Sequence, residues 1–214
     1  MSSEMGLRER KRQQTYETVS DTAVALFLER GFDGVSVAEV AAAAGISKPT
    51  LFRYFPAKED LVLYRFADHQ DEAARVVAQG RSEGLAPLPA LHTHFRHGLR
   101  RQDPVTGLSD NPHVLAYHGL LYGTPSLVAR LYGYQDQSEQ ALAAELGEGL
   151  DARIAAGQII AAQRILALDN WRRIAAGESA GALYAEAVEA ADRAFEQLGE
   201  GLGGRYGEQY GAKG

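Results

Sequence analysis

The chain contains no cysteine among its 214 residues. That excludes disulfides and thiolate metal sites. No stretch approaches the ~18 uninterrupted apolar residues of a membrane helix. The N-terminus lacks the apolar core of a secretory signal. These absences predict a soluble, cytoplasmic protein with no membrane partner. No segment shows the alternation of a strand, and no internal repeat is found. A nucleophile elbow, a Walker loop and a dinucleotide glycine fingerprint are all missing, since Gly147-x-Gly149 follows no strand. No catalytic residue, metal or cofactor is therefore assigned, and the chain is not read as an enzyme. What is present is helical periodicity, with 45% hydrophobic residues and enough length to bury a sizeable core. The predicted fold class is all-α.

Charge is distributed unevenly. The net charge is −6, the wrong sign for a nucleic-acid partner if only the sum is considered. Yet residues 5–58 hold eight lysines and arginines against six acids, a net of +2. Residues 61–214 hold 14 against 19, a net of −5. Arg8, Arg10, Lys11 and Arg12 cluster ahead of the first apolar stripe. Alone, such a run is an ordinary solvated arm. Ahead of a DNA-reading motif it becomes a phosphate-contacting extension.

Residues 35–58 supply that motif. Ser36 is an N-cap with Glu39 three residues on, a capping box. Val37, Val40 and Ala41 form the apolar stripe of a short helix. Gly45 ends it, and Ile46 fills the angle that follows. Ser47 caps the next helix, where Pro49 is tolerated in the first turn. Leu51 and Phe55 face inward. Lys48, Thr50, Phe52, Arg53 and Tyr54 are left outside, and two cations and two aromatics exposed on one short helix need a partner surface. A helix-turn-helix places its second helix in the major groove.

In these residues the chain resembles the tetracycline-repressor-like (TetR) family of regulators. The resemblance runs from about Arg10 to about Val62. It covers Phe27-Leu28-Glu29-Arg30-Gly31-Phe32, Ser36-Val37-Ala38-Glu39-Val40-Ala41, Ala44-Gly45-Ile46-Ser47-Lys48-Pro49-Thr50-Leu51-Phe52-Arg53-Tyr54-Phe55 and Lys58-Glu59-Asp60-Leu61. It implies a ligand-responsive regulator, a repressor released from palindromic double-stranded operator DNA by a small organic effector. The implied DNA-binding residues are Ser36, Lys48, Pro49, Thr50, Phe52, Arg53, Tyr54 and Lys58. Lys48 and Arg53 would read bases, while Thr50, Tyr54, Lys58 and Ser36 would hold phosphates. Two positions depart from the family pattern. Ala38 removes a polar contact from the second helix, and Ala57 is a weak N-cap for the fourth. The rival reading is an all-helical carrier or enzyme without DNA-binding function.

The expected organisation is a DNA-binding head over residues 1–57, an effector-binding and dimerisation body over 58–200, and a flexible tail over 201–214. The first helix is predicted from near Leu7 or Gln13 to Arg30. A continuous fourth helix is predicted from near Lys58 to about Gln79, joining head to body as a rigid lever of about 20 residues and about 30 Å. Later helices are expected over about 89–101, 113–122, 125–146, 152–176 and 179–199. The last two are apolar on more than one face. Ile154, Ile159, Ile160, Ile165, Leu166 and Leu168 on one, with Leu183, Ala187, Val188, Ala191, Ala194, Phe195 and Leu198 on the other, predict a homodimer. Phe95, Tyr117, His118, Leu121 and Trp171 are candidates for an effector-cavity wall. His92, His94 and His97 leave three readings open: a metal pair, cavity lining, or ordinary surface histidines.

Overall fold

The computed structural model describes residues 2–67 and 69–206, with side chains described over 10–66 and 69–201. Its described elements are helices and turns, with no strand among them. No described helix is long and apolar enough to cross a membrane. The chain separates into two compact units, residues 1–68 with 116–132, and residues 69–115 with 133–214. The first unit thus extends past residue 57 and takes in a second, distant stretch of sequence.

The first unit begins with α1 (Ser2–Arg30), which starts earlier than the periodicity predicts. Val19, Ala23 and Phe27 are its buried positions. Gly31 stops it at φ +80°, with its N–H on the Phe27 carbonyl at 2.9 Å. Next come α2 (Val37–Ala43), α3 (Lys48–Tyr54) and α4 (Asp60–Ala67). Tyr16 of α1 is the aromatic hub that joins them. Its ring meets Tyr54 edge-on at 4.9 Å, Phe55 at 5.2 Å, and stacks on Tyr64 at 5.2 Å. Ser20 ties α1 to α4 by donating to the Leu61 carbonyl at 2.8 Å. Leu51, Phe55, Leu61, Val62 and Leu63 are fully enclosed.

The predicted fourth helix is two helices. α4 ends at Ala67, and α5 (Glu72–Ser82) begins after Asp71. A single rigid rod from residue 58 to 79 is therefore excluded. Three side-chain contacts hold the start of α5. Arg75 pairs with Asp71 at 3.0 Å, and Glu72 accepts from both His69 and His94. No local breaker residue announces this separation; the contacts of Glu72 are made within the second unit.

The second unit contains α5, α6 (Pro87–Arg100), a short 3-10 turn (Pro104–Thr106), α9 (Gly149–Ala175) and α10 (Ala180–Tyr206). Two further helices, α7 (Pro112–Gly123) and α8 (Pro125–Leu146), contribute residues to both units. The second unit's core is built on Leu91, Leu99, Leu108, Leu142, Ile159 and Leu183. Close backbone approach matters at Gly107. It sits at φ +71°, and a Cβ there would lie 1.9 Å from the Ala167 carbonyl oxygen. Asn170 completes that junction by donating to the Thr106 carbonyl at 2.9 Å. The tail expected from residue 201 is instead helical through Tyr206. Residues 207–214 lie outside the described residues.

Candidate nucleic-acid interface

The site is built from caps. Ser36 accepts from the Glu39 N–H at 3.3 Å, and Glu39 accepts from the Ser36 N–H at 2.8 Å, so the capping box closes from both sides. The Ser36 hydroxyl also donates to the Glu39 carboxylate at 2.8 Å. Arg30 reaches the other carboxylate oxygen at 2.6 Å. These hydrogen bonds, led by the Ser36 backbone, lower the Glu39 carboxyl from 4.5 to about 2. Gly45 turns the chain at φ +69°. Ser47 then caps α3, accepting from the Thr50 N–H at 3.2 Å and pairing with its hydroxyl at 2.8 Å.

The cap and the buried Leu51 fix α3, and its outer residues project from that mount. Lys48, Pro49, Phe52 and Arg53 are exposed. The Lys48 ammonium lies 5.9 Å from the Phe52 ring centre, and the Arg53 guanidinium 5.5 Å from that of Tyr54. Phe52 is 41% exposed, a large apolar face beside two cations. Such a set fits the base edges and methyl groups of a major groove. Arg10, Lys11 and Arg12 are exposed on α1.

Two predicted contacts, Tyr54 and Lys58, are placed differently from expectation. Tyr54 is half-buried, its ring packed on Tyr16. Lys58 is half-buried rather than exposed. Its ammonium donates to the Phe32 carbonyl at 2.5 Å and sits over the rings of Phe32 at 4.3 Å and Phe27 at 5.3 Å. A lysine two residues before α4 therefore secures the loop that enters α2.

The predicted cavity residues divide between the units. Tyr117, His118 and Leu121 belong to the first, Phe95 and Trp171 to the second. Leu121 is fully buried, and Phe95 fills core against Phe195 at 6.3 Å between ring centres. Burial lowers His118 from 6.5 to about 4, so its imidazole is neutral at pH 7. The Tyr117 hydroxyl donates to the Val62 carbonyl at 2.7 Å. The three clustered histidines part company as well. His92 meets Asp192 at 2.7 Å, His94 meets Glu72 at 3.0 Å, and His97 is exposed. Among the described residues no set of three metal-ligating side chains is brought together.

An ion pair with a buried carboxylate and a half-exposed arginine escapes the sequence reading. Arg130 of α8 grips Asp60 at the start of α4, at 2.8 and 3.2 Å. The half of it that sequence could show is Asp60 lying three residues after Ala57, the spacing of a carboxylate that caps backward.

A family model described as bacterial regulatory proteins of the tetR family matches residues 20–64, from the middle of α1 to the middle of α4. The HTH-type transcriptional regulator TcmR of Streptomyces glaucescens is 31% identical over 150 residues, which span 68% of this chain and 66% of that protein, just under two thirds of its length. The chain belongs to the tetR family of bacterial regulatory proteins. Solved structures of this family share its fold. A tetR-family regulator from Mesorhizobium loti superposes with a TM-score of 0.56 at 20% identity, covering 88% of this chain and 96% of that one. FadR of Thermus thermophilus, a TetR-family repressor solved with lauroyl-CoA, gives 0.52 at 20% identity, covering 87% and 94%.

Proposed function

We propose that this tetR-family chain is a transcriptional regulator that binds a palindromic operator as a homodimer and is released by a small organic effector. The observation that carries the reading is the exposed Lys48–Phe52–Arg53 set on a helix whose start and inner face are both fixed. Lys48 and Arg53 are the base readers. Thr50, in the first turn of α3, and Ser36, the N-cap of α2, approach phosphate, with Pro49 and Phe52 against the groove wall and Tyr54 at its margin. Lys58 serves the head first, through Phe32.

Dimerisation is supported by what α9 leaves uncovered. Leu150, Ile154 and Ile165 are 60%, 47% and 57% exposed, and Tyr184 of α10 is 37% exposed. Ile154 and Ile165 are three helical turns apart, so they share one stripe. Ile159, Leu183, Ala187, Ala191 and Phe195, predicted for the dimer face, are instead enclosed in the unit's own core. The interface is thus a narrower stripe than the sequence suggests. One short helix reads too few base pairs, and a two-fold axis supplies the second. An Ile154→Glu, Ile165→Glu chain sedimenting as a monomer beside a dimeric wild type supports this arrangement. A wild type sedimenting as one chain at micromolar concentration rejects it.

The effector part of the reading is supported by the related fold that holds lauroyl-CoA in FadR of Thermus thermophilus. A ligand found by thermal shift should weaken operator binding. Equal affinity for the free and DNA-bound forms would shift nothing. The DNA part is tested by selecting duplexes from a random pool and titrating the winner. Lys48→Ala and Arg53→Ala should each lose roughly 1–3 kcal/mol of discrimination against altered base pairs. Unchanged preference in both variants rejects the assignment.

A further inference from the structure

We infer that Arg130 is a positioning residue for operator binding, acting through Asp60 to hold the junction between α3 and α4. The inference rests on the DNA-binding reading above and adds a residue remote in sequence from the motif. Asp60 is the node. Its side chain is only 6% exposed. Oδ1 accepts from Arg130 Nε at 2.8 Å, and Oδ2 accepts from Arg130 Nη2 at 3.2 Å. The same Oδ2 accepts from the Ala57 N–H at 2.9 Å. Ala57 has no side chain with which to cap α4, so the capping comes backward from Asp60.

The position of this node is what gives it consequence. Phe55 is the buried C-cap of α3, and only Pro56 and Ala57 separate it from Lys58. The carboxylate therefore fastens the backbone where the recognition helix hands over to α4, and Arg130 fastens the carboxylate to α8. A buried carboxylate without a counter-charge is costly, and an arginine fork satisfies both oxygens in one fixed geometry. The Tyr117 hydroxyl on the Val62 carbonyl adds a second tie to α4 two residues along. Arg130 itself is half-exposed at 49%, so it can be replaced without opening the core. A second ion pair on α4, Arg65 with Asp21 at 2.7 Å, is exposed on both sides.

That contrast supplies the control. Arg130→Gln, Arg130→Lys and Arg65→Gln are compared on a duplex selected by the wild-type chain, at several salt concentrations, after urea unfolding shows each variant to be folded. Arg130→Gln should weaken operator binding on the order of tenfold, with an unchanged salt slope. Arg130→Lys should recover part of the loss, because an ammonium lacks the fork. Arg65→Gln should stay within about twofold. A salt slope reduced by about 1 in Arg130→Gln means direct phosphate contact and overturns the positioning role. Lowered stability with unchanged affinity of the folded variant means a purely structural role and overturns it equally. A wild type that selects no duplex defeats the DNA-binding reading itself, a different result from selection followed by indifference to Arg130.

Discussion

Lys58 donates its ammonium to the main-chain carbonyl of Phe32 at 2.5 Å, across 26 residues of sequence. The two rings beneath it, Phe27 and Phe32, are themselves in contact at 4.9 Å between centres. This places the Lys58 ammonium against the loop before α2, where it fixes the approach to that helix. Lys58→Met should therefore lower stability by about 1–2 kcal/mol, from a charged hydrogen bond and a cation–π contact. Urea unfolding measures it. A variant as stable as wild type, with a flattened salt slope on DNA, would return Lys58 to the phosphates.

His118 gives the first unit a pH dependence whose sign follows from its burial. Its folded value is about 4 against an ordinary 6.5, lowered by burial. The folded state binds fewer protons than the unfolded chain between those values. Stability is fully present above about pH 6.5 and is lost as pH falls towards 4, by about 3 kcal/mol in all. Unfolding free energies measured across that window should show this slope, and His118→Gln should flatten it. A wild type with level stability from pH 7 to 4.5 contradicts the placement.

Glu39 titrates in a separate window. Its folded value of about 2 lies below the ordinary 4.5. Its contribution is present above 4.5 and lost as pH falls through 2. The melting temperature of Glu39→Gln should lie below that of wild type at pH 7, and the gap should close on approaching pH 2. A gap that persists there places the effect elsewhere than in the ionised capping box.

Gly107→Ala tests the second unit. The new methyl would meet the Ala167 carbonyl oxygen at 1.9 Å from a backbone at φ +71°. A loss of roughly 2–4 kcal/mol is expected from the clash and the unfavourable backbone together. Gly133→Ala, at a helical glycine with nothing nearby, is the matched control. Equal stability of the two variants contradicts the close approach.

The sequence discloses what is local. Ser36 with Glu39 and Ser47 before Pro49 mark helix starts because capping uses neighbours within one turn. Gly31 and Gly45 mark stops because the chain there needs a positive φ. What the sequence conceals is set by distant partners. Nothing between Lys58 and Gln79 breaks a helix by composition, yet α4 and α5 are separate, with Glu72 held by His94 from α6. Lys58 and Tyr54 read as surface residues until Phe32 and Tyr16 are placed beside them. Arg130 carries no motif at all, and only the fold brings it to Asp60. The dimer stripe is over-read for the same reason. Periodicity shows that α9 and α10 are broadly apolar, but not how much of that surface their own unit encloses.

The central claim is that the head reads duplex DNA, and a salt titration on a selected duplex tests it most directly. The wild-type chain should enrich a palindrome with half-sites one helical turn apart, about 34–36 Å between centres. The logarithm of its affinity should fall linearly and steeply with the logarithm of salt, while a scrambled duplex binds far more weakly. Failure to enrich any sequence, or an affinity that ignores salt, would contradict the account.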